Sequence, residues 1–243
     1  MRIKMVLPAL AEATDPFFRP IKYSLFPPLG LASLAGHCRD GDEITIEDEH
    51  VGPVRTDDQP EIVVIETYIT SARRSYELAD LYRARGAHVC LGGIHPTSLP
   101  LEAAEHADSI FLGPGDESWP RFLADYRAGH PKRVYRSERR SLMGLPRPRR
   151  DLIDRDRYLV PNSIVVSRGC PHSCDFCYKD AFYAGGRSFY TAPVDDALDE
   201  IASLPGRHLY FLDDNFFANE RYARSLMAGL RGHLSGAAVP TYV

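Results

Sequence analysis

Cys170, Cys174 and Cys177 stand in the run Ser167-Arg-Gly-Cys-Pro-His-Ser-Cys-Asp-Phe-Cys177, a C-x3-C-x2-C triplet with no fourth cysteine nearby. Three thiolates on so short a loop can hold three irons of a cubane [4Fe-4S] cluster and leave one iron open, whereas electron-transfer clusters use four cysteines. An under-coordinated iron can bind a molecule that then reacts. Zinc is the competing reading, but it ordinarily takes four N/S ligands in paired C-x2-C knuckles. The run has one such pair, with His172 cramped inside the loop. Pro171, Ser173 and Asp175 favour a turn, which speaks against three unrelated core thiols.

A loop of this kind needs elements to hold it. The stretch Ser163–Ser167 reads as a strand feeding the cysteines, followed by a helix over Pro193–Ser203, a strand over His208–Leu212 and a helix over Glu220–Leu230. Val239–Val243 reads as the start of a third strand. Asp213, Asp214 and Asn215 close the strand at His208. Carboxyl ends of parallel strands face the active site in α/β barrels, so these side chains are expected on the cysteine side; the competing role is a helix N-cap. Gly185-Gly186-Arg187 reads as a turn, and Arg168 as either a solvated loop residue or a cation tempering the cluster's charge.

The first 130 residues alternate apolar runs with amphipathic stretches, the βαβ pattern of a parallel sheet. Expected strands are Ile3–Leu7, Glu43–Glu47, Glu61–Glu66, His88–Leu91 and Ser109–Leu112. The helices are Pro28–Cys38, Ser71–Arg85, Leu101–His106 and Glu117–Ala128. This is an α/β fold: a doubly wound, Rossmann-like domain of five parallel strands (1–130), then a Pro- and Arg-rich linker (131–160), then the first part of a (β/α) barrel (161–243). The linker contains His130-Pro-Lys-Arg133 and Gly144-Leu-Pro-Arg-Pro-Arg-Arg150 and is expected to be solvated.

Composition narrows the function classes. The chain has 243 residues, 44% apolar, with 29 basic and 33 acidic side chains for a net charge of −4. There is no basic footprint for nucleic acid and no apolar run long enough for a membrane span. Five cysteines, three in one cluster, are not a disulfide framework, and a reducing, cytoplasmic setting is expected. No G-x-G-x-x-G follows the first strand, which argues against a nicotinamide or flavin dinucleotide.

The triplet after a strand, with Phe176 before its last cysteine, resembles the signature of radical S-adenosylmethionine (SAM) enzymes. By this resemblance Cys170, Cys174 and Cys177 ligate a [4Fe-4S] cluster whose open iron is chelated by SAM. Phe176 would lie against the adenine, and Asp213, Asp214 and Asn215 would hold the SAM amino group, since an ammonium needs acceptors. The usual glycine-glycine-glutamate is absent there, so place carries that role, not identity.

Further phrases resemble the cobalamin (B12)-binding subgroup of these enzymes: Pro27-Pro-Leu-Gly-Leu-Ala-Ser-Leu-Ala35, Leu91-Gly-Gly-Ile-His-Pro-Thr97, Gly113-Pro-Gly-Asp-Glu117 and Phe211-Leu-Asp-Asp-Asn-Phe216. Gly92 and Gly93, with Gly113 and Gly115, would let a bulky flat ligand approach the backbone. Thr67, Thr70 and Ser71 offer hydroxyls to a nucleotide tail. Ordinary turn chemistry is the alternative at each. Asp48-Glu-His-Val-Gly52 departs from the cobalt-ligating aspartate-x-histidine-x-x-glycine motif in spacing and in strand, so His50 is expected at the surface and cobalamin without a histidine below the metal. Asp48 or Glu49 can instead meet a polar ligand edge.

The resemblance implies methylation of an unactivated carbon in a small-molecule substrate, with an electron donor such as flavodoxin or ferredoxin. Radical cyclisation or rearrangement with the same cofactors and a non-catalytic cobalamin-binding, sensory module are the alternatives. Residues 163–243 leave room for only about two and a half barrel units, so the chain is expected to be a fragment whose substrate-binding residues lie elsewhere.

Overall fold

The computed structural model describes residues 1–10, 25–138, 140–183, 188–205, 208–234 and 241–242. Gly185-Gly186-Arg187 and most of Val239–Val243 lie outside these.

Six strands build the amino-terminal sheet: β1 (Arg2–Leu7), β2 (Glu43–Asp48), β3 (Ile62–Glu66), β4 (His88–Gly92), β5 (Ser109–Leu112) and β6 (Val134–Arg136). Their order is β2-β1-β3-β4-β5-β6, with every pairing parallel. Strand periodicity sends alternate side chains to opposite faces. Val6, Val63, Ile65, Val89, Leu91, Ile110 and Leu112 pack on one side against Leu78, Ala79 and Tyr82 of α2 (Ala72–Ala84). Ile3, Met5, Ile62, Val64, Cys90, Phe111 and Tyr135 pack on the other against Leu31 and Ala35 of α1 (Leu29–Ala35) and an aromatic block in α5 (Gly115–Arg127). The short helices α3 (Ile94–Ser98) and α4 (Pro100–His106) follow β4. Burial on both faces accounts for the nearly continuous apolar runs.

The stretch read as a linker differs from the sequence-based expectation in two ways. β6 adds a sixth strand from the stretch read as linker. Only Tyr135 of its three residues is buried, so it carries no apolar run to announce it. The remaining connector is not a solvated string of arginines either. Arg150 Nη2 donates to Ser163 O and to Glu200 Oε1, both at 2.7 Å. Arg157 bonds the Val51 carbonyl, and Tyr158 OH donates to Asp48 Oδ2 at 3.0 Å. The connector therefore fastens one lobe to the other.

The second lobe holds a three-stranded parallel sheet, β7 (Ser163–Ile164), β10 (His208–Phe211) and β11 (Thr241–Tyr242), in the order β11-β10-β7. Helices α7 (Val194–Ser203) and α8 (Glu220–Leu234) cover it through Leu198, Leu226 and Leu230. Asn219, not Asp214 or Asn215, caps α8, its Oδ1 accepting the Tyr222 N–H at 3.0 Å. The expected strand into the cysteines is divided: β7 ends at Ile164, and β8 (Ser167–Cys170) forms a separate antiparallel hairpin with β9 (Ser188–Thr191). The short helix α6 (Lys179–Phe182) lies between them.

Candidate functional site

Cys170 is the last residue of β8 and pairs with Ser188. Gly169 makes this register possible. Gly169 has φ +79°, and a Cβ there would lie 1.8 Å from the Ser188 carbonyl oxygen, so only glycine fits. The loop then turns through a Cys177 N–H to Cys174 O bond of 2.9 Å. Cys174 is exposed, Cys170 and Cys177 are half-buried, and Phe176 is 93% exposed. Among the described residues no three His, Cys, Asp or Glu side chains are already disposed as a metal site. What the loop offers is its donor set: three thiols within eight residues, one exposed and two half-buried.

The acids at the end of β10 act on this loop. Asp213 Oδ1 accepts the Val166 N–H at 3.1 Å, the Ser167 hydroxyl at 2.6 Å and the Ser167 N–H. Burial nonetheless raises its pKa, and its Oδ2 is buried without a partner among the described residues. Asp214 takes the Gly169 N–H at 2.7 Å just before the first cysteine and the Tyr178 hydroxyl at 2.7 Å just after the last. Tyr183 OH adds a third bond at 3.0 Å. Asn215 Nδ2 donates to Cys170 Sγ at 3.5 Å. The sequence placed these three residues beside the cysteines; their hydrogen bonding to the loop is the part it did not show.

In the first lobe the glycines gather at the carboxyl edge of the sheet. Gly93 (φ +107°) packs so tightly that a Cβ would stand 2.8 Å from Thr67 O. Gly92, Gly93, Gly113 and Gly115 line a cavity of about 310 Å³ between the lobes, together with Gly30, Glu66, Tyr68, Asp116, Arg168 and Tyr178. A neighbouring cavity of about 680 Å³ shares Gly30, Ser33, Asp116 and Arg168. Of the expected hydroxyls, Thr67 is buried, with its Oγ1 3.5 Å from Ile65 O, and Thr70 is exposed. The buried Ser71 Oγ has no partner among the described residues. His50 is only half-buried and bonds Asp48 Oδ1 through Nδ1 at 2.8 Å. Asp48 is thus engaged by His50 and Tyr158, and Glu49 by Arg74 at 2.7 Å.

Two functional features were missed. Arg168 forms a two-pronged ion pair with Asp116, across the lobes. Glu66, the last residue of β3, presents a carboxyl to the cavity, and burial raises its pKa. Its signal was an acid ending an otherwise apolar strand.

A family model with the description "B12 binding domain" matches residues 23–123, which include most of the parallel sheet and its glycine-lined carboxyl edge. The chain is similar to methyltransferases over most of its length. It is 28% identical over 218 residues to bacteriochlorophyllide d C-12(1)-methyltransferase of Chlorobaculum tepidum, covering 84% of this chain and 47% of that protein. It is 34% identical over 150 residues to the same organism's bacteriochlorophyllide d C-8(2)-methyltransferase, covering 57% and 33%. The solved structure of the radical SAM methyltransferase TsrM from Kitasatospora setae, with cobalamin and a [4Fe-4S] cluster bound, superposes with a TM-score of 0.68 at 17% identity, covering 97% of this chain and 51% of that one. The chain therefore spans about half or less of the length of these relatives; it carries a match to a B12 binding domain over residues 23–123 and is similar in sequence to methyltransferases. Among the described residues no helix is long and apolar enough to cross a membrane.

Proposed function

We propose that this chain is the cofactor-binding part of a cobalamin-dependent radical SAM methyltransferase acting on an unactivated carbon of a small molecule. The observation that carries the reading is the placement of the three-thiol hairpin against the glycine-lined edge of the B12-binding lobe, with Arg168 and Asp116 on the shared cavity wall.

The residues fit both groups. Cys170, Cys174 and Cys177 would hold the cluster, leaving one iron for SAM. Gly92, Gly93, Gly113 and Gly115 would admit the corrin, with Thr67, Thr70 and Ser71 toward its nucleotide tail. When bound, the cluster supplies the electron that cleaves SAM to a 5′-deoxyadenosyl radical, and cobalamin supplies the methyl group. The chain's own residues position and shield. Asp214 ties both ends of the cysteine loop, so the loop cannot splay. The Asn215 amide lies on the Cys170 sulfur, where an N–H donor stabilises thiolate charge. Asp214 and Asn215 would offer acceptors to an ammonium, while Asp213, buried and taken up by the Val166 and Ser167 donors, would hold the strand end beside them, and exposed Phe176 offers a flat face to an adenine. An electron donor such as flavodoxin or ferredoxin would reach the cluster from the exposed side of the loop.

The test is incubation of anaerobically reconstituted protein with SAM and a reductant. Release of 5′-deoxyadenosine is expected, and its loss in the Cys174→Ala variant. No 5′-deoxyadenosine from protein that binds cobalamin would favour a non-catalytic, sensory module instead.

A further inference from the structure

We infer that Glu66 is the hydrogen-bonding anchor of the interlobe cavity, pairing its carboxyl with a primary amide on the corrin rim of a bound cobalamin. The inference rests on the cobalamin reading above.

Position comes first. In a sheet ordered β2-β1-β3, the winding direction reverses between β1 and β3, and ligands of such sheets bind beyond the carboxyl ends at that reversal. Glu66 ends β3 at this point and pairs with Gly92. The backbone of α1 is pressed close: a Cβ on Gly30 would lie 3.0 Å from Oε1 and 3.1 Å from Oε2.

Charge comes second. The groups facing Glu66 are Asp48 at the end of β2, Tyr68 after β3, Asp116 on α5, Arg168 on β8, and Tyr178 and Asp214 beside the cysteine loop. Asp116 takes the Arg168 guanidinium. Asp214 takes one N–H and two hydroxyls, and Asp48 takes His50 and Tyr158. Glu66 is left with one neutral donor, Tyr68 OH at 3.2 Å from Oε1, and its Oε2 has no partner among the described residues. Burial and the Asp48 carboxylate raise the Glu66 pKa against the opposing pull of the Tyr68 hydroxyl and the Arg168 cation, which favours the protonated carboxyl. A protonated carboxyl has one donor and one acceptor side by side, which matches a primary carboxamide. The corrin rim carries several of these.

The chain's single tryptophan, Trp119, lines the same cavity, so quenching of its fluorescence reports occupancy. Cyanocobalamin is the probe, and comparing wild type with the Glu66 variants on this one ligand assigns any pH dependence to residue 66. Wild-type affinity is expected to fall about tenfold as pH rises and Glu66 ionises. Glu66→Gln, which keeps a donor and an acceptor, should bind within about threefold of the low-pH wild type and show no pH dependence. Glu66→Ala should bind about tenfold more weakly at low pH. Equal, pH-independent affinity in wild type and Glu66→Ala would overturn the inference while leaving the cobalamin reading intact. A wild-type protein that cyanocobalamin does not quench would overturn both.

Discussion

Arg168, two residues before the first cysteine, grips Asp116 in the first turn of α5, 52 residues earlier, with its Nη2 3.2 Å from Oδ1 and its Nη1 on Oδ2. This pair fixes the hairpin that carries the thiols against the loop that closes β5. Removing one partner of a buried pair leaves the other charge uncompensated, so Asp116→Asn is expected to cost about 3 kcal/mol of stability. A thermal-denaturation double-mutant cycle with Arg168→Met checks this. A coupling indistinguishable from zero would show that the lobes are held by the connector alone.

The five thiols divide by environment. Burial pushes Cys38 up to about 11 and holds Cys90 well above the ordinary thiol range, whereas the loop thiols are partly or wholly exposed. An aromatic disulfide reagent added to metal-free native protein should titrate the loop cysteines quickly, half-buried Cys38 slowly because its thiol is held protonated, and buried Cys90 only after denaturation. Fast reaction of Cys90 would contradict the burial of β4.

Glu66 also makes stability depend on pH. Its folded pKa is raised above the ordinary 4.5, so between those two values the folded chain holds a proton that the unfolded chain has lost. Stability is then fully present below about pH 4.5 and declines as pH rises through the folded value. Glu66→Gln should remove this component and flatten the urea-denaturation profile over the same range. An unchanged slope would place the buried charge elsewhere, with Asp213 the next group to substitute because its pKa is raised by burial too.

Gly169 is the backbone hinge of the site. Alanine there would have to push the Ser188 carbonyl away from 1.8 Å and adopt φ near +79°. Gly169→Ala is expected to destabilise the second lobe by about 2–4 kcal/mol and to open the hairpin to proteolysis between β8 and β9. Gly86→Ala, at a positive φ with nothing within 4 Å, is the milder control.

Much of this architecture was legible because alternation writes itself into strands. Val63 and Ile65 face one side and Ile62 and Val64 the other, and five strands follow from that pattern. β6 escaped because Val134 and Arg136 are exposed and a single tyrosine has no period. Lys4, 1% exposed in the middle of β1, also breaks the pattern; it is accommodated by Asp58 at 2.7 Å and Glu47 at 3.1 Å, partners that sequence spacing does not reveal. The same holds at the site. The cysteine spacing pointed to the donor set, but Asp214 reaches Gly169 across 45 residues, and such long-range hydrogen bonds exist only in the folded chain.

On the function proposed above, the loop of Cys170, Cys174 and Cys177 would carry an iron–sulfur cluster with one coordination position left for SAM. Electron paramagnetic resonance of the anaerobically reconstituted, reduced protein, with parallel iron and sulfide assays, tests it most directly. About four irons and about four sulfides per chain are expected, with a spectrum that shifts when SAM is added. Stoichiometric zinc with neither iron nor sulfide would make the loop a zinc site and rule the cluster out.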